Sequence, residues 1–313
     1  VRRGCRPRQQ SRGGGLPFPP SLWHCPRRRI TSFCDRATER SVLRHDTTGR
    51  LNRDGIRIHD PSDFAGMHRA GALAARILDD VAAQVWPGQT TGAVDDFIRN
   101  AVEAAGATSA TIGYRGYQHA SCISINHVVC HGIPGEKKLK DGDILNIDVT
   151  VIVDGWYGDS SRMYVAGKLA RKAERLIEVT HDALMLGIEA VKPGNTFGDI
   201  GHAIQTYVEA QRMSVVRDFC GHGLGQVFHA APNVLHYGRP GTGPKLEEGM
   251  FFTIEPMVNA GKRYSKVLPD DWTVVTKDRS LSAQWEHTLL VTETGVEILT
   301  LRDDEEIERV INH

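Results

Sequence analysis

The chain has 313 residues, 40% of them hydrophobic and 24% charged, with 38 basic residues matched by 38 acidic ones. These proportions exclude collagen-like and wholly disordered proteins, and no run approaches the ~18 consecutive apolar residues of a membrane-spanning helix. Six cysteines are too few for a disulfide scaffold in a chain of this length, so a reducing, cytoplasmic setting is expected.

The neutral total conceals a split. Residues 1–50 carry twelve arginines, no lysine and three acids (Asp35, Glu39, Asp46), which puts them at +9 and the rest of the chain at −9. Stretches such as RGGGLPFPP and CPRRR show neither a helical nor a strand period, and residues 1–54 read as a disordered Arg/Pro/Gly-rich extension. A transit peptide, a zinc site drawn from Cys5, Cys25, Cys34, His24 and His45, and a nucleic-acid-binding arm all fit less well. The segment lacks an amphipathic stripe, Cys-x-x-Cys pairs and interleaved aromatics. The chain also opens on Val, as expected if these first residues reflect a misplaced start.

Regular patterning begins near residue 55 and holds to about 301, the span expected of one catalytic domain, with 302–313 as a charged tail. Phe64, Met67, Leu73, Ile77, Leu78, Val81 and Val85 share one helical face over 62–85, with Ser62 as N-cap and Pro87-Gly88 as the stop. A second helix over 91–105 turns Val94, Phe97, Ile98, Ala101 and Val102 inward, and a third over 168–191 ends at Lys192-Pro193-Gly194. A fourth begins between Thr196 and Asp199. Strand signals follow and intervene: CISI, ILNIDVTVIV, MYVAG, MFFTIEP, WTVVT and HTLLVTETGVEIL. Helices interleaved with hairpins predict an α+β domain on an antiparallel sheet rather than a doubly wound parallel one. No internal repeat points to a solenoid or propeller.

Four islands set acids or a histidine into apolar, sheet-forming surroundings, where charge is costly unless paired or metal-bound. In the first, a two-residue turn at Asp154-Gly155 would put Val153 opposite Trp156 and Asp148 opposite Ser161. Asp159 then shares a face with Asp148, one diagonal step away. Two carboxylates that close repel unless a cation lies between them. An equal alternative is that one acid caps a turn and the other is solvated. The second island, CGHGLGQVFH, places His222 among glycines with His229 seven residues on. Without a trailing Gly-Lys-Ser/Thr it does not read as a phosphate cradle. The third and fourth, FFTIEP and QWEHT, place Glu255 and Glu286 in or beside apolar strands, where a lone Glu is often merely salt-bridged. Together, four carboxylates and one imidazole form an oxygen-rich set suited to paired divalent metals rather than to a structural zinc site. No His-Glu-x-x-His helix or Gly-x-Ser-x-Gly elbow is present. Cys122, Cys130 and Cys220 could act as nucleophiles with His131 or His222, although such cysteines are more often small core residues.

The stretches GYRGYQHASCISINHVVCHGIPG, LKDGDILNIDVTV, GWYGDSSRM, CGHGLGQVFH, FFTIEPMVNAGK and SLSAQWEHT together resemble the type I, bacterial-type methionine aminopeptidases of metallopeptidase family M24, over roughly residues 55–301. The interval from His222 to Glu286 is too short for the insertion of the type II enzymes. The resemblance implies the pita-bread (creatinase/aminopeptidase) fold, an antiparallel sheet flanked by helices with internal pseudo-two-fold symmetry. It implies Asp148, Asp159, His222, Glu255 and Glu286 as ligands of two divalent ions (Co, Mn, Fe or Zn), with Asp159 and Glu286 bridging. His131 and His229 would contact the peptide backbone and the tetrahedral intermediate, and Glu255 would also shuttle protons. Tyr117, Cys122, Phe228 and Trp272 would line the methionine side-chain pocket, and a monovalent cation would sit near Asn126, Val128 and Ser282.

The implied activity is removal of the initiator methionine from nascent polypeptides whose second residue is small, a metal-activated bridging water attacking the first peptide bond. The expected form is a monomer that meets the ribosome transiently, with no specific nucleic-acid or membrane partner. Two departures from the family pattern stand out. Gln118-His119-Ala120 replaces the common Pro-Lys-Ser, and Asp271 precedes Trp272 where glycine is usual, which strains the backbone if that position has positive φ. Two rival readings share the fold. An Xaa-Pro peptidase usually carries a substantial extra N-terminal domain, and a metal-free binding module would have lost ligands, whereas all five are present here.

Overall fold

The computed structural model describes residues 48–303, 305 and 307–313. The expectations for the Arg-rich segment, including its zinc, transit-peptide and nucleic-acid readings, fall on residues 1–47 and lie outside the described residues.

Helix α1 (Pro61–Asp80) begins one step before the expected cap. Pro61 takes the first helical position, where a missing N–H costs nothing, and Asp60 rather than Ser62 caps it, forming a capping box with Asp63. The α-helix stops at Asp80 and continues as a 3₁₀ turn, Val81–Gln84, rather than running to 85. The Tyr164 hydroxyl donates to the Leu78 carbonyl, the acceptor that a continuing α-helix would have offered to Ala82. Helix α2 (Thr91–Ala104) is capped by Thr90, whose Oγ1 accepts from the Ala93 N–H at 3.2 Å. Helices α3 (Arg171–Glu189) and α4 (Phe197–Ala210) follow, the latter opened by a Thr196/Asp199 capping box at the expected start.

The strands Asp143–Val153 and Trp156–Ala166 form the longest hairpin, and its register is the one the turn dictates: Val153 opposes Trp156 and Asp148 opposes Ser161. Asp154 and Gly155 both have positive φ, 51° and 87°, as the tightest two-residue hairpin turn requires. α1 lies close against this hairpin. A Cβ on Gly158 would fall 2.2 Å from the Ala70 carbonyl oxygen, so only glycine permits the approach. Cys122–Ile125 pairs with the other edge of Asp143–Val153. In the second half a six-stranded antiparallel sheet runs in the order Ala230–Val234, Gly221–Gly223, Phe251–Ile254, His287–Val291, Gly295–Ile298, Val310–Asn312.

The chain thus repeats one sequence of elements, two helices and antiparallel strands, over 61–166 and again over 171–298. Each half has its own core. Leu78, Ile98, Ile123, Ile147 and Val149 are buried together in the first, and Leu184, Ile200, Phe252, Ile254 and Leu289 in the second.

Both expected domain edges shift outward. Arg50–Leu51 pairs with Arg57–Ile58, and Asn52 donates to Glu247 at 2.7 Å, so the fold is under way before residue 55. At the other end Val310–Asn312 adds an edge strand to the sheet, and Arg302, within the charged tail, is buried. No helix among the described residues is long and apolar enough to cross a membrane.

Candidate metal centre

The two aspartates of the long hairpin face one side of the sheet, Asp148 opposite Ser161 and Asp159 opposite Thr150. Thr150 Oγ1 donates to Asp159 Oδ1 at 2.7 Å, and Thr288 Oγ1 donates to the Asp159 carbonyl, which locks this residue from two strands. His222 sits mid-strand in Gly221–Gly223. A Cβ on Gly221 would lie 2.3 Å from Thr253 O, and one on Gly223 2.1 Å from Ala231 O, so the flanking glycines let neighbouring strands close around the imidazole. Nδ1 of His222 lies 3.1 Å from Gly223 O, an acceptor, which turns Nε2 toward the carboxylates.

Thr253 ties two members together, its hydroxyl accepting from the His222 N–H at 3.1 Å and donating to Glu255 Oε1 at 3.0 Å. Gln284 Nε2 donates to Glu255 Oε2 at 3.2 Å. Glu286 is fixed through its backbone, its N–H donating to Ser161 O at 3.1 Å and its carbonyl accepting from Ser160 Oγ at 2.7 Å.

His222 Nε2 stands 3.4 Å from Asp159 Oδ2 and 3.8 Å from Glu255 Oε1. Asp159, His222 and Glu286 each offer a ligand atom within 4.8 Å of the others. All five residues line one cavity of about 370 Å³, together with His131, His229, Tyr117, Cys122, Phe228 and Trp272. The structure therefore brings together every residue the sequence proposed for ligation, catalysis and the side-chain pocket. The proposed monovalent-cation residues lie outside that cavity lining, and there the Ser282 N–H donates to the Asn126 carbonyl at 2.8 Å.

The electrostatics test whether a metal suits these residues. Burial, then the charges of Asp159 and Glu255, push the Asp148 carboxyl well above its ordinary range, and burial with Asp159, Glu255 and Asp148 does the same to Glu286. Burial alone would lower His222, but its hydrogen bond to Asp159 and the charge of Glu255 lift it to about 9. Four carboxylates around one imidazole leave an excess of buried negative charge, and an oxygen-rich donor set of this kind fits hard or borderline divalent cations. The residues fit the ions.

The other two histidines are electrically different. Burial lowers His131 to about 4, and burial with the charges of His222 and His131 holds His229 well below its usual value, so both are neutral near pH 7. Burial raises the thiols of Cys122 and Cys130, reinforced by Asp148 and Glu255 respectively, which disfavours a cysteine nucleophile.

Three observations were not in the sequence reading. Tyr114 lines the cavity and its hydroxyl lies 3.0 Å from His229 Nδ1, the rings stacked at 5.3 Å; within GYRGY nothing local distinguishes it from Tyr117. His236 Nε2 accepts from the Glu255 N–H at 3.0 Å, and burial lowers it to about 3; an isolated His in an irregular stretch gave no sign of this. Asp271 does have positive φ, 61°, and Trp272 stands just before the strand Val274–Thr276 rather than in it, its N–H donating to Asp270 Oδ1 at 3.0 Å.

Residues 65–293 match metallopeptidase family M24. The methionine aminopeptidase of Rickettsia prowazekii (strain Madrid E) is 56% identical over 248 residues, covering 79% of this chain and 95% of that protein. The chain belongs to metallopeptidase family M24, among the methionine aminopeptidases. The crystal structure of the Rickettsia prowazekii enzyme superposes with a TM-score of 0.78 at 56% identity, covering 79% of this chain and all of that one. The fold is the pita-bread fold, shared more distantly with prolidase from Pyrococcus horikoshii OT3, with a TM-score of 0.63 at 20% identity, covering 80% of this chain and 65% of that one. That second likeness shows the architecture alone. As an M24 metallopeptidase the chain binds divalent metal, and the cluster around Asp159, His222 and Glu286 is the candidate place for it.

Proposed function

We propose that the chain removes N-terminal methionine from nascent polypeptides whose second residue is small, with two divalent ions held by Asp148, Asp159, His222, Glu255 and Glu286. The observation that supports this reading is the convergence of all five with His131, His229 and an aromatic side pocket in one cavity. When bound, ions of the Co, Mn, Fe or Zn type supply Lewis-acid polarisation and a nucleophile at neutral pH.

The chain's own residues do the rest. Asp159 and Glu286, whose ligand atoms lie together with that of His222, would be shared between the two ions. Glu255, its two oxygens oriented by Thr253 and Gln284, takes a proton from the attacking water and passes one to the leaving amine. His229 and His131 are neutral, and His229 is oriented by Tyr114, so they can hydrogen-bond the oxyanion and the scissile nitrogen without competing as charges. Tyr117, Cys122, Phe228 and Trp272 offer the thioether a polarisable apolar wall. A monovalent cation near Asn126, Val128 and Ser282, a monomeric state, a cytoplasmic setting and transient ribosome contact belong to the same reading.

The test is release of free methionine from Met-Ala-Ser and Met-Leu-Ser peptides by metal-stripped protein, before and after adding Co, Mn or Fe. Metal-dependent cleavage of the first peptide only is the expected result. Cleavage of Xaa-Pro peptides instead, or none in folded, metal-loaded protein, overturns the reading. Glu255→Gln should retain the fold while kcat falls about 10²- to 10⁴-fold.

A further inference from the structure

Tyr117 forms part of the side-pocket wall, and the structure shows what stands behind it. Tyr117 is buried, lines the cavity, and packs on Trp272 at 4.8 Å between ring centroids. Its hydroxyl donates to the Ser121 carbonyl at 2.9 Å, and the His119 ring meets its ring edge-on at 5.6 Å. Residues 119 and 121 therefore help place Tyr117, whose hydroxyl also lies 3.4 Å from the Gly132 carbonyl.

Both are gripped by one carboxylate on α2. Asp95 is 2% exposed, on a helix whose neighbouring Asp96 faces solvent. Its Oδ1 accepts from Ser121 N at 2.8 Å and from Ser121 Oγ at 2.7 Å, and its Oδ2 lies 3.3 Å from His119 Nδ1. Arg99, one turn on, reaches Oδ2 at 3.8 Å. A buried carboxylate is costly unless its oxygens are satisfied, and here they are satisfied by the two residues that touch Tyr117. Thr111 Oγ1 donates to the His119 carbonyl at 2.7 Å and fixes the same loop from its other side.

We propose that Asp95 is a positioning residue that sets the width of the side pocket, acting through His119 and Ser121 on Tyr117, and so helps decide which N-terminal side chain is accepted. The proposal rests on reading the cavity as a methionine site. A lysine at position 119 would give Asp95 a donor as His119 does. Asp95→Asn keeps the size but puts an amide N–H₂ among donors, and the loop carrying Tyr117 should relax outward.

The experiment measures kcat and KM for Met-Ala-Ser, norleucine-Ala-Ser and Leu-Ala-Ser with wild type, Asp95→Asn, His119→Ala and His119→Lys. Divalent-metal affinity is measured directly by calorimetric titration with Mn. In Asp95→Asn, KM for Met-Ala-Ser should rise with kcat and Mn affinity little changed, and preference for Met over Leu should fall about 10-fold. His119→Ala should shift both in the same direction by less, and His119→Lys should recover most of that loss. Unchanged KM and side-chain preference in folded Asp95→Asn, or a fall confined to kcat, overturns the proposal. Should Asp95→Asn fail to fold, His119→Ala carries the test, because its ring is partly exposed and leaves a smaller defect. Wild-type protein that releases no methionine defeats the underlying reading and this proposal with it, whereas active wild type beside unaltered variants defeats the proposal alone.

Discussion

Two clusters of buried charge meet at Glu286, and they are built on opposite rules. On the cavity side, Asp148, Asp159, Glu255 and Glu286 surround one imidazole, and burial together with like charges raises the carboxyls of Asp148 and Glu286. On the other, Glu305 is faced by Arg302, by His287 Nε2 at 3.2 Å and by His181 Nε2 at 3.8 Å. Burial opposes ionisation there too, but the hydrogen bonds of His181 and His287 and the charges of His287 and Arg302 prevail and hold the Glu305 carboxyl well below its usual range. Ser160 links the two clusters, its hydroxyl donating to the Glu286 carbonyl and accepting from Arg302 Nη1 at 3.4 Å. Buried charge alone thus does not mark a functional site. What separates the two is the sign balance: one cluster is complete with its own residues, and the other is complete only with a cation.

The comparison is tested most severely by removing one carboxylate from each side. Asp148→Asn should lower divalent-metal affinity by more than about 100-fold, beyond what loss of an outer-sphere partner does, and abolish metal-dependent turnover. In chelator, the same variant should melt higher than wild type, because it removes a buried charge that its neighbours repel. Calorimetry with and without metal separates these effects, and a lower melting point in chelator would contradict the like-charge account.

Glu305→Gln should do the reverse. It leaves Arg302, whose side chain is fully buried, without its carboxylate and should cost about 3 kcal/mol of stability, while the rise in melting temperature on adding metal survives. Loss of that rise would mean that the two clusters are one functional unit.

The legibility of the sequence follows the same division. The metal-side residues were readable because each lies in or beside an apolar strand or between glycines, where an acid or histidine has no local reason to be, and because the Asp154-Gly155 turn sets the register that puts Asp148 and Asp159 on one face. The helices were readable from periodicity, and the start of α4 from Thr196 and Asp199. Residues 302–313 were not, since a run such as RDDEEIER has the composition of a solvated tail; only in three dimensions do His287 and His181 supply what Glu305 lacks locally. Asp95 was hidden for a related reason. On an amphipathic helix an Asp reads as a solvent-facing residue, and the donors that justify its burial come from Ser121 and His119, more than twenty positions away.

The smallest effect concerns acid. The Glu305 carboxyl is depressed in the folded chain, so its contribution is fully present above the unfolded value of about 4.3 and is lost as pH falls toward the folded one. The groups facing it are Arg302, His287 and His181; Arg302 keeps its charge throughout, and His287, lowered by burial, only gains charge as pH falls, so the folded value stays low in that range. The stability gap between wild type and Glu305→Gln should therefore be flat from neutral pH down to about 5, then narrow by roughly 1 kcal/mol per pH unit below about 4. Melting both proteins in chelator at matched ionic strength isolates this gap, because the cavity carboxylates are common to the two and cancel. A gap that widens between pH 7 and 5 would assign part of the stabilisation to a histidine that gains charge beside Glu305, and the second cluster would then be a pH-responsive element instead of a permanently neutralised one.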